Sequence, residues 1–264
     1  GQLGDGTYSQ RHSPVMIVSS GVKSVDSGAH HMHFIKTDGS LWSTGYNEHG
    51  MLGDGSPLNS GAKRNDPIKI VNSGVLSVSA GIWHSIFVKS NGSLWSMGFG
   101  GGGRLGTASD QNRNTPVQIL SSGVLKGVAG VDFTVIHKTD GTVYSVGSGG
   151  NGQLGTGNSA NQSNLTFISN VGSTVGLSAG SHQLLLRNNG SLHVTGLNTS
   201  GQLGDGTTNN RYGFHQILAS GVVRLNDMPA PINNTPIIGS NGGGVSATKN
   251  LSENQTAVTT VSAT

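Results

Sequence analysis

The chain has 264 residues, of which 33% are apolar, 10% are charged and 44 are glycine, with a formal net charge of +3 and no cysteine. These numbers exclude a disulfide framework and thiolate chemistry, and they leave no clustered Lys/Arg surface of the kind that neutralises nucleic-acid phosphates. No run of 18 apolar residues occurs, so no membrane-spanning helix and no membrane insertion are expected.

In chain order, residues 1–20 hold a Gly-Gln-Leu-Gly marker at Gly1 and then a predicted outer strand at 14–18. Two short β-type runs follow around Asp38-Gly39, and the same unit returns around Asn91-Gly92, Asp140-Gly141 and Asn189-Gly190. Asn-Gly and Asp-Gly flanked by such runs predict hairpins with type I′ turns, φ being positive at both central residues. Steps between the turn glycines are 53, 49 and 49 residues. Gly-x-Leu-Gly keeps the same beat, with leucines at Leu3, Leu52, Leu105, Leu154 and Leu203.

Within the second beat the predicted strands are 67–71, 75–79, 85–89 and 93–97, and no sustained 3.6-residue period predicts a helix. A 40–50-residue repeat holding four short strands predicts a β-propeller built from four-stranded blades. Residues 1–226 then make about four and a half repeats of 49–53 residues, with an exposed strand at each end of the arc and the possibility of edge-to-edge self-association. The segments between marker and outer strand are rich in Ser, Asn, Asp and Thr. The second is four residues longer and carries Lys63 and Arg64, so it is the loop expected to protrude.

The order Ala80-Gly81-Ile82-Trp83-His84-Ser85, then Asn91-Gly92-Ser93-Leu94-Trp95-Ser96-Met97-Gly98, then the glycine marker, resembles the repeat of the regulator-of-chromosome-condensation family. The resemblance covers residues 1–226 and implies a parent ring of seven blades, of which this chain would be a fragment with any signal peptide lying upstream. From Asp227 the composition changes, with a Pro/Asn linker at 227–236. Residues 237–264 resemble the opening of a bacterial cadherin-like domain, a β-sandwich module. That resemblance implies Glu253 as a calcium ligand, although Asn233 and Asn234 stand where the acidic linker residues would be.

Candidate residues are those that break the beat. His31, His84 and His182 recur seven residues before each turn Asp/Asn, with Phe133 in the remaining repeat, which predicts hydrogen bonding between blades rather than a catalytic centre. His31 and His33 share a strand face, but a zinc site needs a third ligand and none is nominated. Trp42, Trp95, Tyr144 and His193 also recur, and packing between blades is expected of them. By contrast, Trp83 aligns with His30, Asp132 and Ser181, while Tyr46 and Phe99 stand where the chain leaves a hairpin. Together with Lys63 and Arg64 these form the predicted partner-binding set. The run from Phe99 to Arg104 is glycine-rich but lacks the Gly-Lys-Ser/Thr ending of a phosphate loop.

These observations lead to a non-enzymatic scaffold binding a protein or glycan, part of a large bacterial secreted or cell-surface protein, with no cofactor beyond calcium at the C-terminal module. The family resemblance implies two alternatives: guanine-nucleotide exchange on a small GTPase, and inhibition of a secreted enzyme through a propeller face.

Overall fold

A computed structural model describes residues 1–168 and 174–222. The linker, the cadherin-like segment and Glu253 lie outside the described residues. The chain forms four antiparallel four-stranded sheets, each a propeller blade. The first holds β1 (Val22–Ser27), β2 (His31–Lys36), β3 (Leu41–Tyr46) and β4 (Lys63–Val71). The second holds β5 (Val75–Ala80), β6 (His84–Lys89), β7 (Leu94–Gly98) and β8 (Arg113–Leu120). The third holds β9 (Val124–Ala129), β10 (Phe133–Lys138), β11 (Val143–Gly147) and β12 (Gln162–Ile168). The fourth holds β13 (Thr174–Ala179), β14 (His182–Arg187), β15 (Leu192–Gly196) and β16 (Arg211–Leu218). Among the described residues, one 3-10 turn at Gly101–Gly103 accompanies the strands.

Two expectations need correction. The blade boundary lies elsewhere than the sequence beat suggests: the strand around 67–71 pairs backwards with β3, Trp42 facing Lys69, and does not join β5 to β7. Each outer strand therefore belongs to the hairpin before it. The segment at 14–18 is not a strand, because no described hairpin precedes it to supply a partner.

The turns are also different in kind. Positive φ occurs at Gly39, Gly92, Gly141 and Gly190 but not at the Asp or Asn before them. Gly92 N–H donates to the Lys89 carbonyl and Lys89 N–H to Ser93, giving a three-residue loop with a left-handed glycine rather than a type I′ turn. The Asx side chain then accepts from the residue two positions on, Asn91 Oδ1 taking the Ser93 N–H at 3.1 Å and its hydroxyl at 2.7 Å.

Burial occurs between blades. Ile35 and Leu41 of the first blade meet Val75, Phe87 and Met97 of the second. Ile86, Val88 and Leu94 of the second meet Val124, Ala129 and Ile136 of the third. Four of the five marker leucines, Leu52, Leu105, Leu154 and Leu203, are buried. Such a unit cannot bury its own faces, so neighbours are part of the fold. Near the axis the approach is tight enough to require glycine, since a Cβ at Gly81 would overlap the Gly130 carbonyl and come within 2.6 Å of the His84 ring. β1 has no preceding blade among the described residues, and its Val25 is 71% exposed.

Candidate partner-binding site

Every blade presents two ends. Its middle hairpin turn and the link to the next blade lie at one, the hairpin end. The connections from first to second and from third to fourth strand lie at the other, the loop end. At the loop end the backbone geometry repeats while the side chains do not. Tyr46 N–H donates to the His30 carbonyl at 2.9 Å, Phe99 to Trp83 at 2.8 Å, Ser148 to Asp132 at 3.0 Å and Leu197 to Ser181 at 3.3 Å. One backbone clamp thus holds a different pair of side chains in each blade.

In the first two blades that pair is aromatic. The Trp83 ring stacks on His30 with centroids 4.7 Å apart, and Tyr46 and His49 meet it edge-on at 6.1 Å and 5.5 Å. His49 in turn lies 5.0 Å from Phe99, whose ring carries the Arg104 guanidinium at 4.8 Å. The patch ends there: Arg104 donates to Asp132 at 2.8 Å and to the Gly101 carbonyl at 2.9 Å, so the next junction is an ion pair. His49 Nδ1 is buried without a hydrogen-bond partner, leaving a polar atom unsatisfied inside the patch. Half-buried rings in contact across two blades make a preorganised anchor surface.

Tyr46, Trp83 and Phe99, predicted separately, are therefore brought together. The other two predicted residues are not part of the patch. Lys63 and Arg64 belong to strand β4, not to a protruding loop. Lys63 faces Tyr46 in register with its Nζ 5.1 Å from the Tyr8 ring centroid. Arg64 is committed to Asp54 at 2.8 Å, one copy of a repeated staple that also joins Arg211 to Asp205 at 2.6 Å. The sequence reading missed His49 and Arg104 as members; the signal was that His49 directly precedes the glycine marker and that Arg104 is the marker's second residue, where the other copies carry Gln or Met.

Two of the recurring histidines, His31 and His84, link blades as expected, whereas His182 Nδ1 is buried without a hydrogen-bond partner. His31 Nε2 and His33 Nε2 reach the Ser85 hydroxyl at 2.8 and 2.7 Å, Ser85 donates to the Met51 carbonyl at 3.0 Å, and Ser43 meets His33 Nδ1 at 2.6 Å. Since the Ser85 proton goes to Met51, both Nε2 atoms carry their protons and donate. His84 repeats the device with Thr134 at 3.0 Å, and Thr134 with the Arg104 carbonyl at 2.8 Å. Burial lowers the pKa of His31 and His84 to about 3 and that of His33 well below the ordinary value, so all three are neutral.

The aromatic series packs between blades as expected, Trp95 and Tyr144 lying against the clusters that join the first blade to the second and the second to the third, and it also acts within blades. Trp42 and Trp95 lie parallel to their cross-strand partners Phe34 and Phe87, and each indole N–H donates to the turn serine, at 2.9 Å to Ser40 and 3.0 Å to Ser93.

The pattern of the regulator of chromosome condensation (RCC1) repeat matches residues 38–88, 91–136 and 140–186, more than half of the chain. The chain belongs to this repeat family. Each matched RCC1 repeat begins at a hairpin turn, so it supplies the outer two strands of one blade and the inner two of the next. Among solved structures, human WBSCR16 is 24% identical with a TM-score of 0.66, over 74% of this chain and 52% of that one. Prp20p from Saccharomyces cerevisiae, described with its binding to Gsp1p and histones, is 17% identical with a TM-score of 0.66, over 76% and 51%. Yeast RCC1 (Prp20) bound by Kap60 is 19% identical with a TM-score of 0.67, over 77% and 50%. At these identities the likeness is one of fold. The RCC1-type chain described here spans about half the length of each.

Proposed function

We propose that this chain is a non-enzymatic protein-interaction scaffold that meets its partner at the loop end of the first two blades. The carrying observation is the aromatic patch around Trp83, built on a backbone clamp whose other copies hold Asp132 and Ser181. Aromatic anchors in a half-desolvated cluster carry a large share of binding energy at interfaces. Low charge, the absence of cysteine and the abundance of glycine support our reading of a segment from a large secreted or surface protein of bacterial type with a seven-bladed parent ring.

A photo-crosslinking residue in place of Phe99 tests the reading. It is expected to capture a partner that the same residue in place of Gln118, on outer strand β8 away from the patch, does not. Trp83→Ala is expected to weaken that partner's binding by roughly tenfold or more. Equal capture at both positions, or unchanged affinity in Trp83→Ala, removes the loop end from the proposal. The exchange-factor reading rests on the fold shared with Prp20p, whose binding to Gsp1p is recorded. Accelerated nucleotide release from a small GTPase would favour it over a passive scaffold.

A further inference from the structure

The hairpin end carries a second surface, opposite the aromatic patch and independent of it. Each blade ends its second strand in a cation, Lys36, Lys89, Lys138 or Arg187, and Lys69 lies beside the first of these. Three of the blades seat these cations over aromatic rings. Lys36 and Lys69 stand 4.9 and 5.2 Å from the Trp42 centroid, Lys89 5.0 Å from Trp95 and Lys138 5.6 Å from Tyr144. Against them the described hairpin turns set two carboxylates, Asp38 and Asp140, the latter 3.6 Å from Lys138. The remaining described acidic residues lie towards the loop end, so the hairpin end is basic although the chain is nearly neutral.

Inside this basic ring is a less obvious feature. The innermost strand of every blade has its register interrupted at its second residue, between Val22 and Ser24, Val75 and Ser77, Val124 and Lys126, and Thr174 and Gly176. A bulge leaves one residue out of the ladder and re-aims its side chain. Those residues are Lys23, Leu76, Leu125 and Val175, and Leu76 and Leu125 are 47% and 50% exposed. The innermost strands thus bring exposed leucines to a centre that lysines surround.

We propose that this end docks an acidic polypeptide segment carrying an apolar residue, the apolar side chain meeting Leu76 and Leu125 while its carboxylates face the lysines. An apolar centre inside a polar rim is the ordinary anatomy of a protein interface. Single-stranded nucleic acid fits less well: one face of Trp42 and of Trp95 already lies against a phenylalanine and lysines stand over the rings, which removes the platform that base stacking needs. A flat anionic bilayer fits less well too, because the polar hairpin tips with Asp38 and Asp140 stand beyond the strand ends that bear the leucines.

The test uses the full chain and a fluorescent synthetic peptide alternating Glu with Leu, read by anisotropy at low and moderate salt. Binding that weakens with salt, and by roughly tenfold in a Lys36→Glu, Lys89→Glu, Lys138→Glu variant, is the expected result. Leu76→Ser with Leu125→Ser is expected to lose affinity without losing the salt dependence. A Lys→Gln version of the triple variant serves if charge reversal impairs folding, and a thermal melt checks each protein. Absence of binding, equal binding of a Lys/Leu peptide, or unchanged affinity in the lysine variants overturns the proposal. So does a stronger response to phosphatidylserine vesicles than to the peptide, which would assign the surface to lipid.

Discussion

The two ends of the blades hold positive charge in different ways. At the loop end it is mostly arginine, and Arg11, Arg64, Arg104 and Arg211 each meet an aspartate, Asp5, Asp54, Asp132 and Asp205. At the hairpin end it is mostly lysine held over Trp42, Trp95 and Tyr144. A planar guanidinium that can pair geometrically with a carboxylate suits a staple, whereas an ammonium on a flexible stem keeps its field directed at solvent. Side chains on the two surfaces differ in the same sense. The loop end varies from aromatic cluster to ion pair across successive junctions, and the hairpin end repeats one arrangement through the first three blades. Repetition makes a diffuse field, and departure from repetition makes a local spot.

The comparison implies that a residue serving the repeat can be exchanged for its counterpart in another blade, while loss of its chemistry is costly. Ser85 is the sharpest case. Ser85→Val leaves the Nε2 protons of His31 and His33 and the Met51 carbonyl without their partner in a buried site, and is expected to cost about 4 kcal/mol in urea unfolding. Ser85→Thr borrows the hydroxyl of Thr134 in the next blade and is expected to cost about 1 kcal/mol or less. If both substitutions cost the same, the hydroxyl network is not what joins these blades.

Much of this arrangement was legible in the sequence, for a physical reason. Turn glycines and marker leucines are local requirements, a positive φ or a buried plug, and they show in one residue each. Trp83, Tyr46 and Phe99 were visible because they depart from their counterparts. The pairing of Lys69 with Trp42 was not visible, since strand partnership is a long-range choice and the segment alternates equally well in either blade. Nor was the turn type, because Asn91-Gly92 satisfies a two-residue turn as readily as a three-residue loop, and the contact that decides, Asn91 to Ser93, lies beyond the dipeptide.

The buried histidines give a smaller, graded effect that separates the inner network from the staples. His31, His33 and His84 are neutral in the fold and have pKa values below the 6.5 of the unfolded chain, mainly through burial. The unfolded state therefore takes up protons first. The stability contributions of His31 and His84 are fully present above pH 6.5 and are lost as pH falls towards about 3, by about 1.4 kcal/mol per pH unit for each of the two, and that of His33 is lost in the same direction. The staple carboxylates Asp54 and Asp205 lie below 3.8 in the fold, so their loss begins in more acid solution. Unfolding midpoints measured from pH 7.5 to 4.5 are expected to fall throughout the lower part of that range. His84→Phe, which copies Phe133, is expected to flatten the slope by about one histidine's share. An unchanged slope would mean that His84 takes up its proton within the fold.

The smallest effect comes from the most regular feature, the Asx contact at the hairpin end. Asn91 Oδ1 accepts the Ser93 N–H and hydroxyl, and Ser93 Oγ accepts the Trp95 indole N–H at 3.0 Å, so the turn fixes the ring over which Lys89 sits. Asn91→Ala removes the first contact and is expected to cost about 1 kcal/mol, with a small loosening of Trp95 visible in its fluorescence. Asn91→Asp keeps the acceptor and matches Asp38 and Asp140, whose oxygens make the same contacts to Ser40 and Thr142. It is expected to leave stability nearly unchanged while adding one negative charge beside Lys89. Asn91→Asp is therefore expected to weaken the acidic peptide without touching the fold, whereas Asn91→Ala should shift stability more than peptide affinity. If the two variants shift both quantities alike, the turn and the charged ring are not separable, and the periodic face is a single structural device.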